Sequence, residues 1–445
     1  MAPLDWIDEY VVRLRDYIFV REDDCLLIKV PNEAYKLNPS GIEILQRLLG
    51  GEPVADLWRS YGGTDEVRRD IHDFFTGLKQ VLEKKIDERR LPASVVARPF
   101  QLGFNTLPVL SEVALTYACN LECRFCYAQC HNAGGERGGW GRAPARPVLA
   151  KRDFQEVLRI IRQEAKVPSV SFTGGEPTLC PDLPDLVRYA RHTLGMRVNL
   201  ITNGTLIDLA TARALHDAGL HSAQVSIESP DPDVHDALTC RSGSFAQSLA
   251  GLRALRDSGV SVHTNTTINR LNIATLLKMP AFVKSLGLER FSMNLVIPMR
   301  HDPAINLSYT EAAPWIPRIQ GEARRYGVEF MWYSPTPVCI FNPIPYQLGN
   351  KGCAACDGLL SVSPSGDVLP CSSWPEPVGN LLLEGFHSTW RSARACRLRG
   401  KNEAPAACSG CEDFALCQGA CPLYWREFGT CELLPGRKRH AAAGC

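Results

Sequence analysis

Three cysteines fall within eight residues in the stretch CNLECRFCYA, at Cys119, Cys123 and Cys126, with Phe125 directly before the last. Thiolates are soft ligands suited to iron–sulfur clusters. Three thiolates on a four-iron cluster leave one iron open to an outside ligand. An open coordination position is what a catalytic metal needs, whereas a structural site is closed. A three-cysteine zinc site is the alternative, but no histidine sits at ligand spacing inside the motif, and His131 falls in the glycine-rich stretch HNAGGERGGWGRAP. A second constellation lies toward the C-terminus. Cys356 is followed by nine residues, Gly366, four residues and Cys371; then come Cys408, Cys411, Cys417 and Cys421 as C-x2-C-x5-C-x3-C, and Cys431. A zinc ribbon would use two C-x2-C pairs and leave the remaining thiols without a role.

Cysteine is also the compositional outlier. There are 18 in 445 residues, four of them between Cys119 and Cys130 and ten between Cys339 and Cys431. In a long chain whose N-terminus, MAPLDWIDEYVVRLRDY, lacks the apolar stretch of a signal peptide, such clusters point to metal rather than disulfides. The isolated Cys25, Cys180, Cys240 and Cys396 read as small buried apolar residues, and Cys445 as an incidental terminal thiol. The net charge of +1 gives no global field for nucleic acid or an acidic membrane. No apolar run approaches the roughly 18 residues that span a bilayer. The expectation is a cytoplasmic globular protein with no nucleic-acid or membrane partner.

These residues must be held by a scaffold, and the middle of the chain supplies one. From about 110 to 325, strands alternate with helices: SEVALTY leads into the first cysteine motif, and SVSFT, RVNLIT, HSAQVSIE, SVHTNTTI and RFSMNLVI each follow a helical segment. Repeated βα units predict a parallel sheet with covering helices. Six strands suit an incomplete (β/α)6 barrel, and a doubly wound open sheet is the alternative. In both, chemistry belongs at the C-terminal strand ends, where Cys119 lies. Residues 1–95 form a separate small unit: YIFVREDDCLLIKV gives two strands around a Glu22-Asp23-Asp24 turn. LNPSGIEILQRLLGG gives a helix capped by Asn38 or Ser40 and stopped at Gly50-Gly51, and VADLWRSYGG a second short helix. Thr64 caps a third, with Val67, Ile71, Phe74, Phe75, Leu78 and Val81 at helical spacing. Proline-punctuated residues 96–109 read as a linker, and residues 335–445 as the cysteine-rich C-terminal domain.

The motif C-x3-C-x-aromatic-C in CNLECRFCYA resembles the signature of radical S-adenosylmethionine (SAM) enzymes. That resemblance implies a [4Fe–4S] cluster on Cys119, Cys123 and Cys126, with SAM chelating the fourth iron and Phe125 packing near the adenine. One electron would cleave SAM to methionine and a 5′-deoxyadenosyl radical that abstracts hydrogen from substrate; the cofactor carries the chemistry and the protein orients it. SFTGGEPTL resembles the family's GGEP motif. There, Gly174 and Gly175 would allow close backbone approach to the ligand, and Glu176 would accept from the SAM ammonium. By the same resemblance, Asn203 of TNG and Ser226 of VSIES would touch SAM. The chain has Glu228-Ser229 where the family often has aspartate-glycine, and Arg241 lies two positions beyond the family's usual basic residue.

The C-terminal cysteines resemble the SPASM domain, the seven-cysteine extension of peptide- and protein-modifying radical SAM enzymes. It implies two auxiliary [4Fe–4S] clusters, one on Cys353, Cys356, Cys371 and Cys421, the other on Cys408, Cys411, Cys417 and Cys431, with Cys339 competing with Cys353 for the eighth place. YKLNPSGIEILQRLLGGEPVADL resembles PqqD-like peptide-recognition domains, a winged helix-turn-helix fold that holds a leader peptide at a sheet edge. A winged helix of the DNA-binding kind fits poorly, because RRDIHDFFTGLKQVLEKK interleaves acids with bases. Together these resemblances imply a maturase that oxidatively modifies a ribosomally made peptide or protein through a crosslink, thioether or related C–H functionalisation. It would be fed by a flavodoxin- or ferredoxin-type electron donor. Sulfatase maturation fits less well, because those relatives carry an acid directly after the cysteine matching Cys371, where this chain has Ser372. The alternatives are a radical SAM enzyme acting on a small molecule such as a modified tetrapyrrole, and a non-catalytic iron–sulfur electron carrier.

Overall fold

The structure is a computed structural model and describes residues 3–30, 33–85, 91–96, 103–127, 148–298 and 302–433. His131 and Cys445 lie outside the described residues. Two compact units are present, Met1–Val109 and Leu110–Cys445.

The first unit contains α1 (Asp5–Leu14), β1 (Ile18–Arg21), β2 (Leu26–Lys29), β3 (Glu33–Lys36), α2 (Pro39–Leu49), α3 (Val54–Ser60) and α4 (Asp65–Leu82). The strands form an antiparallel sheet in the order β1-β2-β3. Asn38 caps α2 by accepting from Gly41 N–H at 2.8 Å, and Thr64 caps α4 by accepting from Val67 N–H at 3.3 Å. Ile7, Leu27, Leu45, Leu57 and Phe75 are fully buried in the core between helices and sheet. The first helix and third strand were not legible in the sequence. Nor do the described residues 103–109 act as a free linker: Arg21 and Asp24 form a buried ion pair at 2.8 Å, and Arg21 donates to the carbonyls of Pro108 and Leu107 at 2.6 and 3.0 Å. A buried guanidinium must fill its donors, and the chain after Gly103 supplies the acceptors.

The second unit is built on a ten-stranded sheet. Its parallel part comprises β4 (Leu110–Thr116), β5 (Ser169–Gly174), β6 (Arg197–Thr202), β7 (Ser222–Ser226), β8 (Ser261–Ile268), β9 (Arg290–Leu295), β10 (Glu329–Trp332) and β11 (Leu359–Val362). β12 (Asp367–Leu369) and β13 (Gly379–Asn380) add antiparallel beyond β11, giving the order β10-β9-β8-β7-β6-β5-β4-β11-β12-β13. The six expected strands are β4 to β9, and the α/β architecture with a parallel βα barrel sheet is the one the sequence predicts. Two extensions were not foreseen. β10 is a four-residue strand too short to carry a period. β11 pairs with β4 across some 250 residues of chain, a long-range pairing invisible to local pattern. The cysteine-rich region therefore continues the barrel sheet rather than standing apart from it.

Side chains on each strand alternate between two environments. Val113, Leu115, Val170, Phe172, Val198 and Leu200 are buried on the helix-covered face, where α5 (Lys151–Gln163) presents Phe154, Val157, Leu158 and Ile161. The other face is polar. Ser171, Asn199 and Ser222 are hydrogen-bonded in series at 3.2 and 2.8 Å. His263 and Gln224 meet at 3.2 Å, and Asn265 reaches Asn294 at 2.9 Å. Barrel interiors are usually filled by branched apolar side chains; this face carries amides and hydroxyls, with His263 beside Gln224 and the Glu112 carboxyl in register with Ser171.

Of the isolated cysteines, Cys240 and Cys396 are exposed and Cys25 and Cys180 half-buried, rather than core residues. Cys25 and Cys240 hold left-handed turn conformations at φ 52° and 55°, and turns lie at the surface.

Candidate functional site

The first cysteine motif leaves the C-terminal end of β4 as a loop tied down on several sides. Glu122 and Arg124 N–H groups donate to the carbonyls of Thr239 and Leu238 at 3.2 and 2.9 Å, at the end of the helix Pro232–Thr239. Arg241 Nη1 donates to the Asn120 carbonyl at 3.0 Å. Arg124 forms a two-point ion pair with Asp302 at 2.6 and 3.0 Å. Arg241 thus lies at the cysteine loop although its spacing departs from the family pattern. Neither the Arg124–Asp302 pair nor the strap through Thr239 has a signal in the sequence.

Cys119 and Leu121 are buried there, with Cys123, Cys126 and Tyr117 packed against them. Burial pushes the Cys119 thiol up to about 11, with the Glu176 carboxylate and Cys126 adding to the shift. Cys123 is raised by burial, then by Cys126, Glu228 and Cys119. Three thiols in one dry pocket cannot all ionise unless a positive centre joins them, and a metal is the group that deprotonates coordinating thiols outright. The donor set therefore fits a cluster. Among the described residues no group of His, Cys, Asp or Glu is assembled for a single metal ion. Cysteines on a four-iron cube stand outside its corners, farther apart than the ligands of one ion.

The GGEP segment closes against this loop. Gly175 N–H donates to Thr116 O at 2.7 Å and Glu176 N–H to Ala118 O at 2.9 Å. A Cβ on Gly174, at φ 134°, would stand 2.2 Å from Thr116 O, and one on Gly175 2.2 Å from Ala118 O. The backbone these glycines approach is the segment leading into Cys119. Glu176 is fully buried. Its Oε1 accepts from Thr178 N–H, Thr178 Oγ1 and Thr202 Oγ1 at 3.1, 2.6 and 2.7 Å, and Oε2 from Asn203 N–H at 2.8 Å. Burial raises its pKa while these donors lower it. The carboxylate thus joins the ends of β5 and β6. Glu176→Gln turns an NH2 group toward one of those donors, so a loss of about 1–3 kcal/mol is expected, the range for an unmet buried hydrogen bond. Thermal unfolding of the anaerobic protein, together with SAM binding by equilibrium dialysis, measures it.

The other expected SAM contacts lie around the same rim. Asn203 Nδ2 is 2.9 Å from Asn120 Oδ1 and 4.0 Å from Cys119 Sγ, while its Oδ1 accepts from Thr205 N–H and Oγ1 at 2.9 and 2.7 Å. Ser226 ends β7, in register with Asn265 of β8. Phe125 is half-buried in the loop itself. Glu228 sits just past β7 and is almost fully buried, with Thr267 N–H donating to Oε2 at 2.8 Å. Burial pushes its pKa up to about 8, so it stays protonated at neutral pH. His235 Nδ1 accepts from Glu228 N–H at 3.1 Å, which puts its proton on Nε2, and that atom has no partner among the described residues. Glu228 was read in the sequence only as a departure from the family pattern; its burial follows from tertiary packing.

The C-terminal thiols fall into two groups. Cys371 is raised by burial and then by Cys353 and Cys421; Cys421 by burial and then Cys353. Cys356 feels Cys353 as well. Cys408 instead responds to Cys417, Cys339 and Cys411. Cys353 therefore accompanies Cys356, Cys371 and Cys421, and Cys339 lies by the other group. The place of Cys431 as a ligand rests on its spacing. Behind Cys371, Ser372 N–H donates to the half-buried Glu112 of β4 at 3.1 Å. The nearby aromatics pack against one another: Tyr424 stands 4.3 Å from Tyr309 and 4.9 Å from Trp425, and Trp374 is buried under Arg426.

Comparison with known proteins identifies two domains. Residues 113–279 match the radical SAM superfamily, and residues 353–412 the SPASM iron–sulfur cluster-binding domain. The chain is 27% identical over 369 residues to an AdoMet-dependent heme synthase of Methanosarcina barkeri, covering 76% of this chain and all of that one. It is 28% identical over 331 residues to a PqqA peptide cyclase of Xanthomonas campestris, covering 71% of this chain and 81% of that one. In fold it resembles Streptococcus suis SuiB bound to S-adenosylmethionine, with a TM-score of 0.65 at 16% identity over 92% of this chain and 97% of that one. It also resembles anSMEcpe with bound AdoMet, with a TM-score of 0.56 at 17% identity over 70% of this chain and 88% of that one. SAM and [4Fe–4S] chemistry are accordingly the cofactor chemistry of this protein: it is a radical SAM enzyme that carries a SPASM iron–sulfur domain.

Proposed function

We propose that the enzyme modifies a ribosomally made peptide or protein by hydrogen abstraction from a C–H bond. Cys119, Cys123 and Cys126 would hold the cluster whose open iron takes SAM, with Phe125, Gly174, Gly175, Glu176, Asn203 and Ser226 around the bound SAM. Two further [4Fe–4S] clusters, on Cys353, Cys356, Cys371 and Cys421 and on Cys408, Cys411, Cys417 and Cys431, would bring the total to three. A flavodoxin- or ferredoxin-type protein would supply the electron.

One observation carries the choice of substrate class. On the polar face of the sheet, the hydrogen-bonded side chains of Ser171, Asn199, Ser222, Gln224, Asn265 and Asn294 are neutral, with His263 beside Gln224 and the Glu112 carboxyl in register with Ser171. Such a face complements peptide amides. A carboxylated macrocycle would instead call for cations that pair with its acid groups. The peptide reading is also supported by the PqqA peptide cyclase among the relatives and by SuiB, whose fold has been seen with the precursor peptide SuiA. The first unit would contribute recognition, because β1 and β3 both stand at edges of their sheet and an edge can add an extended peptide as a further strand. Action on a small molecule is the second reading, favoured by the heme synthases, one of which this chain matches along its whole length.

Truncation before Leu110 separates recognition from chemistry. The shortened enzyme is expected to keep slow SAM cleavage, because Cys119 and every expected SAM contact follow the cut. It is expected to lose modification of the full-length precursor at low substrate concentration, with little rescue by the separate domain, since unlinking two binding modules forfeits effective concentration. Mass spectrometry of 5′-deoxyadenosine and peptide from both forms decides: equal modification would make the first unit structural and favour the small-molecule reading. Among the described residues, no helix is long and apolar enough to cross a membrane.

A further inference from the structure

Cations stand beside more than one of the cysteine groups. At the first motif, Arg241 Nη1 donates to the Asn120 carbonyl next to Cys119, and Arg124, inside the loop, is paired with Asp302. The group of Cys353, Cys356, Cys371 and Cys421 is bordered by cations. Arg399 Nε donates to the Cys356 carbonyl at 3.0 Å and Nη2 to the Trp390 carbonyl at 2.8 Å, with its guanidinium 4.6 Å from the Trp390 ring centroid. No carboxylate pairs with it among the described residues, so its charge is not neutralised. Lys401 is nearly fully buried and donates to the Cys353 carbonyl and to Asp357, both at 2.7 Å. Arg426 stands 4.2 Å from the Trp374 ring centroid, three residues along from Cys371.

Arg399, half-buried, and Lys401, whose charge is paired with Asp357, are both anchored to the backbone of cysteines in one group. Reduction adds one negative charge to a cluster, and a fixed cation beside it favours that state. Net charge and hydrogen bonding around a cluster are the protein's means of setting its potential.

Resting on the three-cluster reading above, we propose that the charge of Arg399, which no carboxylate offsets, raises the reduction potential of the cluster on Cys353, Cys356, Cys371 and Cys421. Arg399 touches the Cys356 carbonyl, not the reacting atoms, and is a positioning residue.

The test is a potentiometric titration of the full-length anaerobic holoprotein with dithionite, followed by electron paramagnetic resonance, using the signal lost in Cys371→Ala to identify this cluster. At a fixed potential, Arg399→Gln is expected to lower the ratio of reduced to oxidised cluster about tenfold, which is about 59 mV for one electron. Iron content should stay unchanged. Arg399→Lys, which keeps the charge, is expected to remain close to the parent. An unshifted ratio in an iron-replete Arg399→Gln protein overturns the proposal, and so does an equal shift in the Gln and Lys variants, which would trace the effect to shape. Should Arg399→Gln lose iron, Arg426→Gln carries the same test: a shift of the same sign supports the cationic border, and none overturns it. Failure of the three-cluster reading would show separately, as missing iron in the parent protein.

Discussion

Replacing Cys119, Cys123 and Cys126 together with alanine is expected to abolish SAM cleavage and to remove about a third of the iron. The anaerobic parent should hold about twelve irons if three four-iron clusters are present. The other two thirds should survive, because the two C-terminal thiol groups share no ligand with the first motif. Folding should survive as well, because the loop's strong ties run through backbone groups of Glu122 and Arg124 and through the Arg124–Asp302 pair, and only long contacts involve Cys119 sulfur. Iron quantitation and 5′-deoxyadenosine assay of the triple variant check this. Full iron in that protein would contradict a cluster at the first motif, and loss of all iron would mean that the three groups do not assemble independently.

Gly175→Ala should be nearly as damaging while altering no proposed ligand. Its added methyl would meet Ala118 O at 2.2 Å, and that oxygen cannot give way, being backbone of the segment that enters the cysteine loop. The strand end would have to part from β4, breaking the bonds from Gly175 N–H to Thr116 O and from Glu176 N–H to Ala118 O. Overpacking and two lost buried hydrogen bonds together cost on the order of 3 kcal/mol or more. The expected result is a lower unfolding temperature, and first-cluster iron that is lost or labile. Gly321, with ordinary φ and open space around its Cβ position, is the control for a glycine-to-alanine change without a clash. A Gly175→Ala protein as stable as the parent, with full iron, would mean that the segment is free to move away from the loop.

What the sequence made legible was the part of the site carried by local spacing. Cys119, Cys123 and Cys126 share one loop, GGEP lies at the end of the next strand, and Asn203 follows the one after, because each βα unit repeats the same local pattern and the C-terminal strand ends coincide in space. The six strands were readable for the same reason. Four-residue β10 and the pairing of β11 with β4 were not, since neither leaves a period in its own stretch of chain. The role of Glu176 was only partly readable: the motif marks it for a ligand, while the structure shows its carboxylate bound by Thr178, Thr202 and Asn203, partners that only folding assembles. The strap on the cysteine loop, the burial of Glu228 and the cations beside Cys353 and Cys356 depend on contacts between residues far apart in sequence. Tertiary position puts Cys353 near Cys371 and Cys421 and Cys339 near Cys408, a neighbourhood that spacing alone leaves open.

The most direct test of the account follows a hydrogen atom. The reduced, SAM-loaded enzyme is incubated anaerobically with a precursor peptide deuterated on carbon, and the 5′-deoxyadenosine formed is analysed by mass spectrometry alongside the peptide. The account predicts that deuterium appears in 5′-deoxyadenosine and that the same peptide loses mass as it is oxidised. Deuterium-free 5′-deoxyadenosine with an unchanged peptide would contradict a peptide as the substrate of this radical.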